Sequence, residues 1–144
     1  MTIAVDFDGT LVTHEYPMIG KPIPFAIETL IKLQKELHCN IILWTYRTGK
    51  TLDEAVEYCR GKGLEFYAVN KNYPEEEDGD KEFSRKINAD IYIDDRNLGG
   101  LPDWGVIYAV IKGQTKPVYD DAYILHKPKK NWLIRLGERL QEGQ

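Results

Sequence analysis

The sequence predicts an α/β fold with a mostly parallel sheet, and three observations lead there. Short apolar runs that read as strands alternate with segments of helical spacing, a pattern that calls for parallel pairing through right-handed crossovers. The strand-like runs are nearly continuous in apolar residues rather than alternating, as in strands covered on both faces. A length of 144 residues suits one compact domain, here a three-layer α/β/α sandwich.

Residues 2–6 (Thr-Ile-Ala-Val-Asp) open the chain as a buried strand that ends in an acid. Residues 24–37 follow as a helix with Ala26, Leu30, Leu33 and Leu37 on one face and Pro24 in the first turn, where proline is tolerated. Residues 40–44 (Asn-Ile-Ile-Leu-Trp) are a second buried strand. Thr51 and Glu54 have capping-box spacing, and Leu52, Ala55, Val56 and Cys59 form the apolar face of the next helix, which Gly61 or Gly63 ends. Residues 65–69 and 90–94 supply the third and fourth strands. Val106, Ile107, Val110 and Ile111 fit a helix, although so short an apolar run also suits a strand.

This organisation places a core at 1–114, with a flap at 11–23 and a polar loop at 70–88, and a C-terminal extension at 115–144. The acidic stretch Glu75-Glu76-Glu77-Asp78 reads as solvated loop. In the extension, Trp132, Leu133, Leu136 and Leu140 recur at helical spacing among Lys129, Lys130, Arg135 and Arg139. A helix packed on the core is the first reading; a basic amphipathic contact for a partner or a membrane surface is the second.

Composition removes several classes of function. A formal net charge of −4 argues against a general nucleic-acid binder. No apolar run nears the roughly 18 residues of a transmembrane helix, and MTIAVDFDGT lacks the basic-then-apolar order of a secretory signal. Cys39 and Cys59 are too few for a disulfide framework and read as buried thiols, so a cytoplasmic setting is expected.

The chemistry is concentrated at strand ends. Asp6-Phe7-Asp8-Gly9-Thr10 leaves the first strand where open α/β sheets bind ligands. Alternate side chains of an extended segment point the same way, so Asp6 and Asp8 can serve one site, and Gly9 lets the backbone turn beside them. Asp94-Asp95 ends the fourth strand in the same manner. Four crowded carboxylates call for a hard divalent cation, and magnesium prefers such oxygen ligands. Phosphoryl transfer would use the pairing well: one carboxylate attacks phosphorus while a second acid serves the leaving oxygen and then the attacking water.

The stretch DFDGT resembles the first motif of the haloacid dehalogenase superfamily. Thr45, after Ile41-Ile42-Leu43-Trp44, resembles its second motif, and Asp94-Asp95 after Ile91-Tyr92-Ile93 its fourth. The resemblance implies a Rossmann-like core with Asp6 as nucleophile, Asp8 as general acid/base, and Thr45 holding the transferring phosphoryl group. Gly9 and Thr10, which complete the first motif, would line the substrate site. Magnesium would be held by Asp6, by Asp95 directly, by the backbone carbonyl of Asp8, and by Asp94 either through water or from behind the direct ligands. The third-motif lysine is assigned to Lys86, with Lys71 and Lys81 as alternatives. Neither 11–23 nor 70–88 has room for a separate cap domain, which resembles the capless members, including a small group of uncharacterised bacterial proteins. Many capless members act on large substrates or use a neighbouring subunit of a homo-oligomer as a lid. Asp94-Asp95-Arg96 is similar to deoxyribonucleotidases, but those carry a cap.

Arg47 and Arg96 have planar forks that suit a second anionic group, with a structural ion pair as the alternative for each. Within the flap, His14, Tyr16 and Lys21 could touch substrate, with an ordinary exposed loop residue as the alternative for each. The expected function is therefore a magnesium-dependent phosphomonoester hydrolase acting through an aspartyl-phosphate on a phosphorylated small molecule or a larger phosphorylated substrate. The alternative is a magnesium-binding regulatory or partner-binding module with low turnover. In a third reading the basic C-terminal segment recruits the domain to a macromolecule, as a phosphatase of nucleic-acid ends or of a phosphoprotein.

Overall fold

In a computed structural model, residues 1–77, 79 and 84–113 are described. Four parallel strands form one sheet, β1 (Thr2–Val5), β2 (Asn40–Leu43), β3 (Ala68–Val69) and β4 (Ile91–Ile93), in the order β3-β2-β1-β4. Three helices join them: α1 (Ala26–Leu37), α2 (Gly49–Gly61) and α3 (Trp104–Ile111). The parallel α/β class expected from the sequence is therefore present. β1 is central, pairing with β2 through Ile3↔Ile41 and Val5↔Leu43 and with β4 through Ile3↔Ile91 and Val5↔Ile93. The carboxyl ends of β1, β2 and β4 consequently lie side by side.

Strand alternation divides the core in two. Ile3, Val5, Ile41, Leu43 and Ile93 pack with the buried faces of all three helices, including Leu30 and Leu33 of α1, Ala55 and Cys59 of α2, and Trp104 and Ile107 of α3. Ala4, Ile42 and Ala68 pack on the other side with Ile87 from the segment before β4. Among the described residues, then, the helices line one face of the sheet and a loop covers the other. The expected C-terminal helix within 115–144 lies outside the described residues.

Several boundaries move for physical reasons. α1 starts at Ala26, because Pro24 lies in the preceding turn and Phe25 takes a left-handed φ of 66°. α2 begins a turn earlier than a Thr51 cap implies: Thr48 is the extended residue before it, and the Thr51 hydroxyl donates to the Thr48 carbonyl at 2.8 Å. Its end is set by Gly63, whose φ of 88° lets Gly63 N–H reach Arg60 O and Leu64 N–H reach Cys59 O, the Schellman arrangement. β3 shortens to Ala68–Val69, with the Glu65 carbonyl accepting from the Gln34 side chain. The apolar run at 106–111 is helical, with the Asp103 side chain capping it through Gly105 N–H at 2.8 Å.

The polar loop also departs from expectation at one residue. Glu76, inside the acidic stretch, is buried and accepts from the backbone and side-chain N–H groups of Asn72. Asn72 in turn accepts from Asn88 N–H at 2.7 Å, which ties the loop to the segment entering β4. Cys39 and Cys59 are free and buried, as expected, and burial pushes the Cys59 thiol up to about 12. No helix among the described residues is long and apolar enough to cross a membrane.

Candidate functional site

Asp6 follows β1 and remains on the ladder through its N–H to Ile93 O, 3.0 Å. That bond sets it beside the end of β4, from which Asp94 and Asp95 emerge. The three residues each offer a carboxylate oxygen, all within 4.8 Å of one another. Burial pushes the Asp6 carboxyl up to about 6, with Asp94, Asp95 and Asp8 adding repulsion against the lowering effect of the Phe7 N–H. Asp95 Oδ1 is buried without a hydrogen-bond partner, a costly state for a carboxylate oxygen.

The surrounding backbone holds these acids in place. The Thr10 hydroxyl, fully buried, accepts from Asp95 N–H at 3.0 Å, and Asp94 Oδ1 accepts from Arg96 N–H at 2.8 Å. Gly9 has a φ of 85°, and a Cβ there would sit 2.4 Å from Asp95 Oδ2. Any side chain at position 9 would displace that carboxylate. Gly9 and Thr10 thus build the acidic cluster from beneath, and the buried Thr10 hydroxyl is directed at Asp95 rather than toward a substrate. The donor set is all carboxylate oxygen, its charge is uncompensated, and one oxygen is orphaned; these features fit a hard divalent cation.

Asp8 faces a different partner. It is buried, and both its oxygens accept from the Arg47 guanidinium, Nε to Oδ2 at 2.6 Å and Nη2 to Oδ1 at 2.6 Å. Arg47 is itself fully buried, and its other donors go to the carbonyls of Pro17 (3.0 Å), Met18 (2.8 Å) and Thr51 (3.4 Å). The guanidinium carbon lies 5.0 Å from the Phe7 ring centroid and 5.2 Å from that of Tyr16. Hydrogen bonding to Asp8 raises the Arg47 pKa against the effect of burial. Arg47 is thus not placed to grip a second anionic group: every donor is spent inside the protein, and the residue is a buried ion pair.

Thr45, just past β2, is buried; its N–H donates to Asn70 Oδ1 at 2.8 Å and its hydroxyl accepts from Arg47 N–H at 3.3 Å. Asn70 follows β3 with a left-handed φ of 53° and also donates from its amide to Arg47 O at 3.4 Å. It braces the Thr45–Arg47 turn, a role the sequence reading missed. An asparagine directly after a strand, a residue tolerant of left-handed φ, was the available signal.

The remaining candidates lie on the rim or away from it. Arg96 is exposed and donates from Nη2 to His14 Nε2 at 2.8 Å, linking the flap to the residue after the acid pair; the imidazole nitrogen is the acceptor, since guanidinium has only donors. The Tyr16 and Tyr46 rings meet at a tilt of 47° with centroids 5.0 Å apart. Lys21 pairs through its backbone with Thr13 at the flap base. Lys86 is exposed with its ammonium 5.5 Å from the Tyr92 ring centroid, and Lys71 donates to the Pro74 carbonyl. Lys81 lies outside the described residues. No described lysine forms a hydrogen bond or ion pair with Asp6, Asp94 or Asp95.

Fold and site together define a parallel α/β protein with an acidic cluster at the carboxyl edge of its sheet. No family model and no curated protein matches the chain. A solved structure does: a conserved protein coded by a locus of Bacteroides thetaiotaomicron, 56% identical, with 88% of this chain and 98% of that one covered and a TM-score of 0.74. The chain belongs to the same family as that conserved Bacteroides protein.

Proposed function

We propose that the protein is a magnesium-dependent phosphomonoester hydrolase of the haloacid dehalogenase type, with Asp6 as covalent nucleophile. One observation carries this reading: Asp6, Asp94 and Asp95 converge within 4.8 Å at the carboxyl edge of the sheet, with Asp8 two residues beyond the nucleophile. Asp6, Asp94 and Asp95 would hold the cation, which supplies charge neutralisation for an anionic substrate.

The chain's own residues account for the remaining chemistry. An Asp6 oxygen attacks phosphorus, the bond from phosphorus to the ester oxygen breaks, and Asp8 delivers the proton to that leaving oxygen. Asp8 then takes a proton from water as the water oxygen attacks phosphorus, which releases inorganic phosphate and regenerates the Asp6 carboxylate. Thr45, braced by Asn70, borders the site from β2. In the resting arrangement Asp8 accepts from Arg47 at both oxygens, so proton delivery requires at least one of these bonds to yield.

That same fork favours the second reading, a magnesium-binding module with little turnover in which Asp8 stays engaged. A screen of chromogenic ester, sugar phosphates, nucleotides and phosphorylated macromolecules, with magnesium and with Asp6→Asn as the blank, separates the two. Magnesium-dependent turnover absent from the variant supports the hydrolase; magnesium binding without turnover on any of these esters would overturn it in favour of the module.

A further inference from the structure

The flap and the acid/base carboxylate share a single buried group. Arg47 joins Asp8 through two 2.6 Å bonds and joins the flap through the Pro17 and Met18 carbonyls, at 3.0 and 2.8 Å. The flap base is anchored independently, by Thr13 N–H to Lys21 O at 2.7 Å and Ile23 N–H to Leu11 O at 2.9 Å. Gly20 makes that base close-fitting, since a Cβ there would meet the Thr13 carbonyl at 2.0 Å. The tip, by contrast, reaches the body through Arg47, through the His14–Arg96 bond and through the Tyr16–Tyr46 ring contact.

We propose that Arg47 is a positioning residue that couples flap docking to the orientation of Asp8, so that the acid/base carboxylate is aimed only while the flap tip is seated. The catalytic part of this inference rests on the hydrolase reading above. Geometry explains the choice of arginine. A planar guanidinium satisfies two carboxylate oxygens and two carbonyls from one plane, whereas a lysine ammonium has three donors and no fork. The rings of Phe7 and Tyr16 hold that plane, and Tyr16 belongs to the flap, so tip displacement removes one wall and two acceptors together. Asp8 then keeps a partner held, apart from Asp8 itself, only by the Phe7 ring and the longer 3.4 Å bond to the Thr51 carbonyl.

The test uses the full chain and compares Arg47→Lys with wild type on two esters. An alkyl phosphate needs a proton on its departing oxygen; 2,4-dinitrophenyl phosphate does not. If Arg47 positions Asp8, kcat/KM, which reports the leaving-group step and not the later attack of water, falls about 100-fold or more for the alkyl ester, while that for the dinitrophenyl ester falls less than about 10-fold. Equal losses on both esters would mean a general structural role and overturn the proposal. Wild-type inactivity on both would count against the hydrolase reading instead. Limited proteolysis gives a readout independent of turnover. In Asp8→Asn, cleavage after Glu15 in the tip by a glutamate-specific protease is expected to rise about 10-fold or more, with cleavage after Glu28 of α1 unchanged. Unchanged cleavage after Glu15 in a folded Asp8→Asn protein would refute the coupling whatever the activity.

Discussion

Asp6 and Asp8 lie two residues apart at the end of one strand, yet their surroundings are opposite. Asp8 is buried against a guanidinium that satisfies both its oxygens. Asp6 is pushed up to about 6 among Asp94 and Asp95, beside an Asp95 oxygen with no partner. The chain completes one site from within and leaves the other short of positive charge. Under the proposed hydrolase reading this is a division of labour: a carboxylate that must be oriented receives a residue, whereas carboxylates that would gather a cation are left for the cation to satisfy.

The largest expected effect comes from the under-compensated side. Asp6→Asn should lower turnover on the order of 10⁴-fold or more, since the nucleophile is lost rather than misaligned. Steady-state rates with magnesium check this, and near-normal rates would remove the covalent mechanism.

The compensated side should respond in stability. Arg47→Ala strands the Asp8 charge in the interior and is expected to cost about 3–5 kcal/mol in urea unfolding. Pairing Arg47→Met with Asp8→Leu should cost much less than the sum of the single changes. A loss under about 1 kcal/mol for Arg47→Ala, the scale of an exposed pair, would dissolve the contrast.

Magnesium should stabilise the fold through the acidic cluster alone. Saturation to 100 times its dissociation constant is worth about 2.7 kcal/mol by linkage. Asp95→Asn should weaken that gain and raise the magnesium needed for it, as read by thermal unfolding across a magnesium titration. An unchanged magnesium requirement in Asp95→Asn would show that the cation binds elsewhere.

The smallest effect is a pH dependence of the metal-free protein. Asp6 holds its proton more tightly folded, at about 6, than at its ordinary 3.8, so between these values the native state binds more protons than the unfolded state. Its contribution is therefore full below about pH 4, is lost as pH rises to about 6, and is flat above that. Asp6 is only partly buried, so screening trims the change to about 1–2 kcal/mol. Subtracting Asp6→Asn stability curves from wild type isolates this contribution; a flat difference between pH 4 and 7 would contradict it.

Much of this was legible in the chain because the informative residues are consecutive. Ile3-Ala4-Val5 and Ile91-Tyr92-Ile93 announce strands, and the acids directly after them must leave the same sheet edge when the strands are parallel neighbours. Other features depend on contacts between distant segments. An arginine two residues after Thr45 looks the same whether it faces solvent or meets Asp8 across 39 positions, and only the seated flap fixes the answer. Glu76 is indistinguishable from its acidic neighbours until Asn72 turns toward it. Helix starts shifted because Phe25 and Thr48 take non-helical backbone angles that residue preferences do not dictate.

The proposed mechanism requires a covalent phosphate on Asp6. Wild-type protein with magnesium and a turned-over phosphomonoester, quenched in acid during the steady state and digested, should yield phosphate on the aspartate of the peptide containing Asp6. That signal should be absent without magnesium and absent from Asp6→Asn. Hydrolysis with no phosphate on that peptide, or surviving in Asp6→Asn, would contradict the assignment of Asp6 as nucleophile.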